Sequence, residues 1–201
     1  MKTKAIRLYG KNDIRLEEFE LPAIKDDEIL AKIVSDSICM SSYKAAIQGA
    51  AHKRVPNDVA ENPTIIGHEF CGDIIKVGAK WQHLFKEGMK FGIQPAMNLK
   101  ENPYIAPGYS YQFIGGDATY IIIPNEVMES DCLIPYEGES YFKASLAEPM
   151  SCIIAGYPEN YHSDYDHHAH EMGIKEGGAV AILAGVGPMG LGAVDYGIHG
   201  D

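Results

Sequence analysis

The sequence is poor in positive charge, in closely spaced cysteines and in long apolar runs. Seventeen Lys and Arg stand against 28 Asp and Glu, a net charge of −11 over 201 residues. Nucleic acid and anionic membrane surfaces recruit proteins through clustered positive charge, so neither is the expected partner. Any phosphate recognition must be local.

The four cysteines, Cys39, Cys71, Cys132 and Cys152, lie 32, 61 and 20 positions apart. That spacing suits neither a disulfide scaffold nor a four-thiolate zinc knot, and a reduced, cytoplasmic chain is the expectation. The opening MKTKAIRLYGKND has no continuous apolar stretch of the kind a signal peptide carries. The longest apolar stretch, Ala179 to Val194, spans 16 residues and is broken by four glycines and Pro188. It is too short and too interrupted to cross a bilayer.

What is present reads as many short strands. From Lys4 to about Val127 the runs KAIRLY, DIRLEEF, EILAKIV, TIIGHEF, GDIIKVG, KFGIQP and ATYIIIP are bounded by Gly, Pro, Asn and Asp. Alternation at Ile14/Leu16 and at Ile29/Ala31/Ile33 predicts a barrel or sandwich. One helix interrupts it, SSYKAAIQ, with Ser41 and Ser42 as N-caps and Gly49 as the stop. Leu99 to Gly116 reads as a long loop over the barrel. After Tyr141, YFKASLAEPMSCIIAGY has helical spacing, with Pro149 marking a start or a kink. A polar connector follows, Pro158 to Lys175, holding His162, His167, His168 and His170. It reads as an interdomain link or oligomer contact, with adventitious metal binding as the other reading. The last segment is a strand, AVAILA, then a glycine turn and a helix.

Two constellations can carry chemistry. Cys39, His68 and Glu69, with Glu148 downstream, are the donor types of a catalytic zinc, which takes three protein ligands and leaves a fourth position open. A thiolate, a neutral imidazole and one carboxylate balance the ion's charge. Only one of Glu69 and Glu148 is therefore expected to bind directly at a time, the other lying just outside the ligands or bonded to the metal's water. Taken alone, a Cys and a His 29 positions apart are more often a buried small side chain and a surface histidine. The second constellation is Gly185, Gly187 and Gly190 in a G-x-G-x-x-G turn between strand and helix. Such glycines allow a tight turn, close approach to a pyrophosphate and close helix packing. The alternative is a glycine turn with no ligand.

In their order, Cys39, Gly67-His68-Glu69, Glu148-Pro149 and the glycine turn resemble the zinc-dependent medium-chain alcohol dehydrogenase superfamily. The Glu-Pro looks like its sorbitol dehydrogenase branch. The run HEMGIKEGGAVAILAGVGPMGLGAVDYGIH looks closer still to L-sorbose-1-phosphate reductases and their relatives. The resemblance implies a mainly β GroES-like catalytic domain over 1–150, a linking helix and connector over 151–176, and the first βα unit of a Rossmann domain over 177–201. It implies zinc at Cys39, His68, Glu69 and Glu148, and catalytic roles for Glu69 and for Ser41, which matches the hydroxyl that relays the alcohol proton. It also implies NAD or NADP at Gly185, Gly187 and Gly190. The implied substrate is a polyol, a ketose or a sugar phosphate, and homo-oligomer formation is left open.

Three features depart from the family pattern. Ser42 and Lys44 stand where the family usually has Asp and often His, removing a carboxylate that would orient His68. Leu99 to Tyr120 has no cysteine, so no structural zinc is expected. His52-Lys53-Arg54 reads first as a solvated charge run and second as a phosphate clamp. The expected sheet of the last segment has one strand and no parallel partners, and the chain reads as the N-terminal piece of a longer one. A rival reading is a truncated, non-catalytic zinc module; a zinc-free quinone-reductase-like member fits less well with Cys39 and His68 present.

Overall fold

The computed structural model describes residues 1–200, and the chain divides into two compact units, one ending at Leu146 and one beginning at Ala147. In the first unit the apolar runs become strands: β1 Lys2–Gly10, β2 Asp13–Glu20 and β3 Ile29–Asp36. Helix α1 follows at Met40–Gln48, then β4 Thr64–Ile65, β5 Phe70–Val77, β6 Lys90–Ile93 and β7 Tyr120–Ile123. A short helix α2 at Asn125–Glu129, a strand β8 at Leu133–Pro135 and a helix α3 at Tyr141–Ser145 complete it.

Two antiparallel sheets result, ordered β2-β1-β4 and β7-β3-β5-β6-β8. A bridge from Ala5 to Ala118 joins them, supported by Ile6 N–H to Asp117 O at 2.8 Å. The larger sheet covers a core of Ile29, Ala31, Phe70, Ile74, Phe91, Ile121 and Ile123, all nearly inaccessible to solvent. Alternation in β3 buries Ile29 and Ala31, whereas Ile14 and Leu16 of β2 alternate onto solvent. Periodicity fixes that side chains share a face, and a neighbouring layer decides whether the face is buried.

A second apolar cluster matters more for function. Leu8, Ala45, Val55, Val59, Ile66, Ala106 and Tyr109 pin α1, the segment after it and the long loop to β1. That loop, irregular from Gln94 to Asp117, is not a loose cover: Ala106 and Tyr109 are buried in the cluster.

Two expectations about helices are corrected. Cys39 occupies the N-cap of α1 without a side-chain cap bond, so Ser41 and Ser42 lie inside the first turn. Ser41 is engaged elsewhere, donating to Cys39 Sγ. Gly49 does end the helix, at φ +57°. The helix expected over 141–157 is two helices, because the chain breaks at Leu146 before α4, Ala147–Gly156. Pro149 sits in the first turn of α4, where its missing N–H leaves no bond unmade.

The second unit pairs α4 with α5, Pro188–His199, through Tyr157, whose hydroxyl donates to Ala193 O and whose ring meets Tyr196 edge-on at 4.9 Å. The expected polar connector is instead a hairpin of β9, Tyr161–Asp164, and β10, Ala169–Met172. Cross-strand polar pairs hold it: His162 with Glu171 at 2.9 Å and Ser163 with His170 at 3.0 Å.

The helix of the expected βα unit is present as α5, but its strand is not: residues 179–187 form turns and irregular backbone. A parallel strand takes its hydrogen bonds from flanking strands, and among the described residues none lies beside this segment. Leu183 and Val186 stay 91% exposed. No helix among the described residues is long and apolar enough to cross a membrane.

Candidate metal centre

The structure brings Cys39, His68 and Glu69 together. One ligand atom from each lies within 4.8 Å of the others, the one such donor group found among the described residues. Backbone geometry explains the convergence. Cys39 ends the turn between β3 and α1, while His68 and Glu69 follow Gly67, whose φ of +91° excludes ordinary side chains. Gly67 also leaves no room for a Cβ, which would strike the Asp36 carboxyl and the Asp117 nitrogen. Its carbonyl accepts from Gly116 N–H at 2.8 Å, tying the turn to the loop ahead of β7.

Each donor is oriented. Ser37 donates its hydroxyl to Glu69 Oε2, leaving Oε1 3.9 Å from His68 Nε2. Asp36 Oδ1 accepts from Glu69 N–H at 3.2 Å. Ser41 donates to Cys39 Sγ at 2.9 Å, and Tyr109 donates to Ser41 Oγ at 2.7 Å. His68 Nε2 lies 3.3 Å from both hydroxyl oxygens. The other ring nitrogen, Nδ1, is buried with no hydrogen-bond partner. With Ser42 in place of a carboxylate, nothing in the first turn of α1 bonds to it.

Burial sets the protonation states. It pulls His68 down to about 4, against an opposing pull from Glu69, so the imidazole is neutral near pH 7 and able to ligate. Burial raises the Cys39 thiol, and Ser41 offsets part of that. Asp36 is pushed up to about 8, first by burial and then by Asp117, so it holds its proton at neutrality.

The donor set fits a divalent, borderline-soft ion. Thiolate and imidazole ligands on a tetrahedral ion stand about 3.5 Å apart, so the cluster needs to close by roughly an ångström to wrap one. A thiolate, a neutral imidazole and a carboxylate leave such a centre uncharged.

The other expected residues lie in the second unit. Glu148 is in the first turn of α4. Gly187 caps α5, Pro188 follows it, and Gly190 packs so tightly on Gly185 that a Cβ there would lie 2.6 Å from the Gly185 Cα. Close approach of this kind is what glycine permits in a phosphate-binding turn. Three residues of the centre escape sequence reasoning: Ser37, which follows β3 and bonds to Glu69, and two more. Tyr109 comes from the long loop, 41 positions from His68, and Asp36 closes β3, 33 positions before Glu69.

Comparison with known proteins gives the family. The alcohol dehydrogenase GroES-like domain profile matches residues 25–131. The chain belongs to this family. It is 56% identical to the L-sorbose 1-phosphate reductase of Klebsiella pneumoniae over 98% of its length and 48% of that protein's. It is 50% identical to the mannitol-1-phosphate 5-dehydrogenase of Aliivibrio fischeri, over 99% of this chain and 47% of that one. It thus spans about half the length of these curated relatives. The crystal structure of 2R,3R-butanediol dehydrogenase from Bacillus subtilis shares the fold, with a TM-score of 0.65 at 24% identity, over 81% of this chain and 49% of that one.

Proposed function

We propose that this chain belongs to a zinc-dependent oxidoreductase that moves hydride between NAD(P) and a polyol, a ketose or one of their phosphates. The observation that carries the reading is the convergence of Cys39, His68 and Glu69 with Ser41 beside them. Relatives named for sorbose 1-phosphate and mannitol 1-phosphate support the substrate class. Cys39 and His68 hold one catalytic zinc, with Glu69 or Glu148 as the third ligand, and no structural zinc accompanies it. Zinc bound there supplies Lewis acidity toward a hydroxyl or carbonyl oxygen, and the nicotinamide supplies the hydride acceptor or donor.

The chain's own residues do the rest. Ser41 Oγ, held by Tyr109, sits at the ligand sulfur and relays the proton leaving a substrate hydroxyl, accepting it on Oγ as its own hydroxyl proton passes to water. Ser37 and Asp36 fix Glu69, so that its free oxygen faces the imidazole. Gly185, Gly187 and Gly190 give a cofactor pyrophosphate access to the N–H groups that open α5. The test is metal content. The chain should carry about one zinc, and Cys39→Ser and His68→Ala should each lose most of it. Unchanged zinc in both variants overturns the assignment.

A further inference from the structure

The segment His52-Lys53-Arg54 is not a loose charge run. His52 stacks on Tyr109 with ring centres 5.7 Å apart and planes 8° from parallel, and Tyr109 in turn lies 4.8 Å from the His68 ring. Arg54 places its guanidinium 5.7 Å over the centre of the same Tyr109 ring and donates to Tyr104 O at 3.3 Å. Lys53 Nζ lies 4.6 Å over the Tyr104 ring. The cations are therefore held by two aromatic residues, one of which touches the imidazole of the metal centre.

Their charge is also uncompensated. Lys2, Arg7, Arg15, Lys25 and Lys80 each pair with a carboxylate. Among the described residues no ion pair involves Lys44, Lys53 or Arg54, in a chain of net charge −11. Burial, and then the positive charges of Arg54, Lys53 and Lys44, holds His52 below the usual histidine range, which places Lys44 of α1 in the same field. A recess of about 210 Å³ opens between Lys53, Arg54, Asn102, Tyr104 and Ser110.

We propose that Lys53 and Arg54, with Lys44 beside them, form the subsite that takes the phosphate of a polyol or ketose phosphate whose reacting carbon lies at the Cys39–His68 centre. The inference rests on the oxidoreductase reading and narrows its substrate class to phosphomonoesters. A guanidinium anchored on a ring keeps its remaining N–H donors free for two phosphate oxygens, and it loses little freedom on binding because it is already ordered. Lysine adds point charge at the rim.

Calorimetric titration of the zinc-loaded chain with mannitol 1-phosphate and with mannitol, at low salt, tests it. The phosphate ester should bind at least about tenfold more tightly, the scale of one charge-assisted contact. The preference should shrink as salt rises. Lys53→Gln and Arg54→Gln should each remove most of the preference while retaining wild-type zinc content, and Arg54→Lys should restore only part of it. Equal binding of the two hexitols, or a preference that survives both Gln substitutions, overturns the subsite. Zinc retained in Cys39→Ser and His68→Ala would instead overturn the underlying reading, so the two failures are told apart.

Discussion

The two units of this chain use similar residues to opposite effect. Up to Leu146, β-branched and aromatic side chains lie between sheets and helices, and Ile29, Phe91, Ile121 and Ile123 are wholly buried. From Ala147 onward only Ile153 is buried among the described apolar residues, while Leu183 and Val186 stand 91% exposed. The run AVAILA is no less apolar than YIII of β7, yet one is irregular and the other is a strand at the edge of the larger sheet. A strand is thus a property of its neighbours. β7 is hydrogen-bonded along β3, and AVAILA has no strand beside it among the described residues.

The sharpest way to break this contrast is to remove a core side chain from each unit. Phe91 is fully buried and meets Phe70 edge-on at 6.3 Å. Phe91→Ala should cost about 3–5 kcal/mol in urea unfolding, through lost burial and the cavity left behind. Ile153→Ala, in a unit with no other buried apolar side chain among its described residues, should cost less than half of that. Equal losses would mean that the second unit is packed in solution as densely as the first.

The same contrast shows what was legible in the sequence. The strands of the first unit announce themselves through alternation and turn residues, because each needs only a face and two ends. Cys39, His68 and Glu69 have the right donor chemistry, but it is their order in the family's motif set that marks them out, and the Gly67 turn just before His68 and Glu69 aims those two at Cys39. Tyr109 and Asp36 are not legible: their roles come from contacts across 41 and 33 positions, which no local pattern encodes. The hairpin at Tyr161–Met172 is hidden for another reason. Its strands are polar on both faces and are held by His162–Glu171 and Ser163–His170 pairs, so no apolar alternation marks them.

A partly buried acid separates the units by pH. Asp36 is raised from 3.8 to about 8 by burial and by Asp117, so the folded chain keeps a proton that the unfolded chain releases. Its contribution is full below pH 4 and is lost as pH rises toward 8, at up to about 1.4 kcal/mol per pH unit. Asp36→Asn in metal-free protein should flatten the stability of the first unit across that window by a comparable slope. In the second unit the hydrogen bond from His167 holds the Asp164 carboxyl below its usual range, the opposite direction, and thermal melts of that unit's helices should not respond to the Asp36 change. An unchanged slope in the variant would place the Asp36 carboxyl in water.

The smallest expected effect tests the exposed face of the second unit. Leu183→Ser and Val186→Ser remove side chains that make little contact, so each should change unfolding stability by under about 0.5 kcal/mol. Exposed apolar side chains close together in sequence are tolerated when nothing depends on them, but they are costly to keep without a reason. A loss above about 2 kcal/mol would show that these two positions are covered in solution, since only buried apolar groups lose that much on conversion to serine. In that case the difference between the units would lie in what covers the second one, and the loss should then grow with protein concentration if the cover is another copy of this chain.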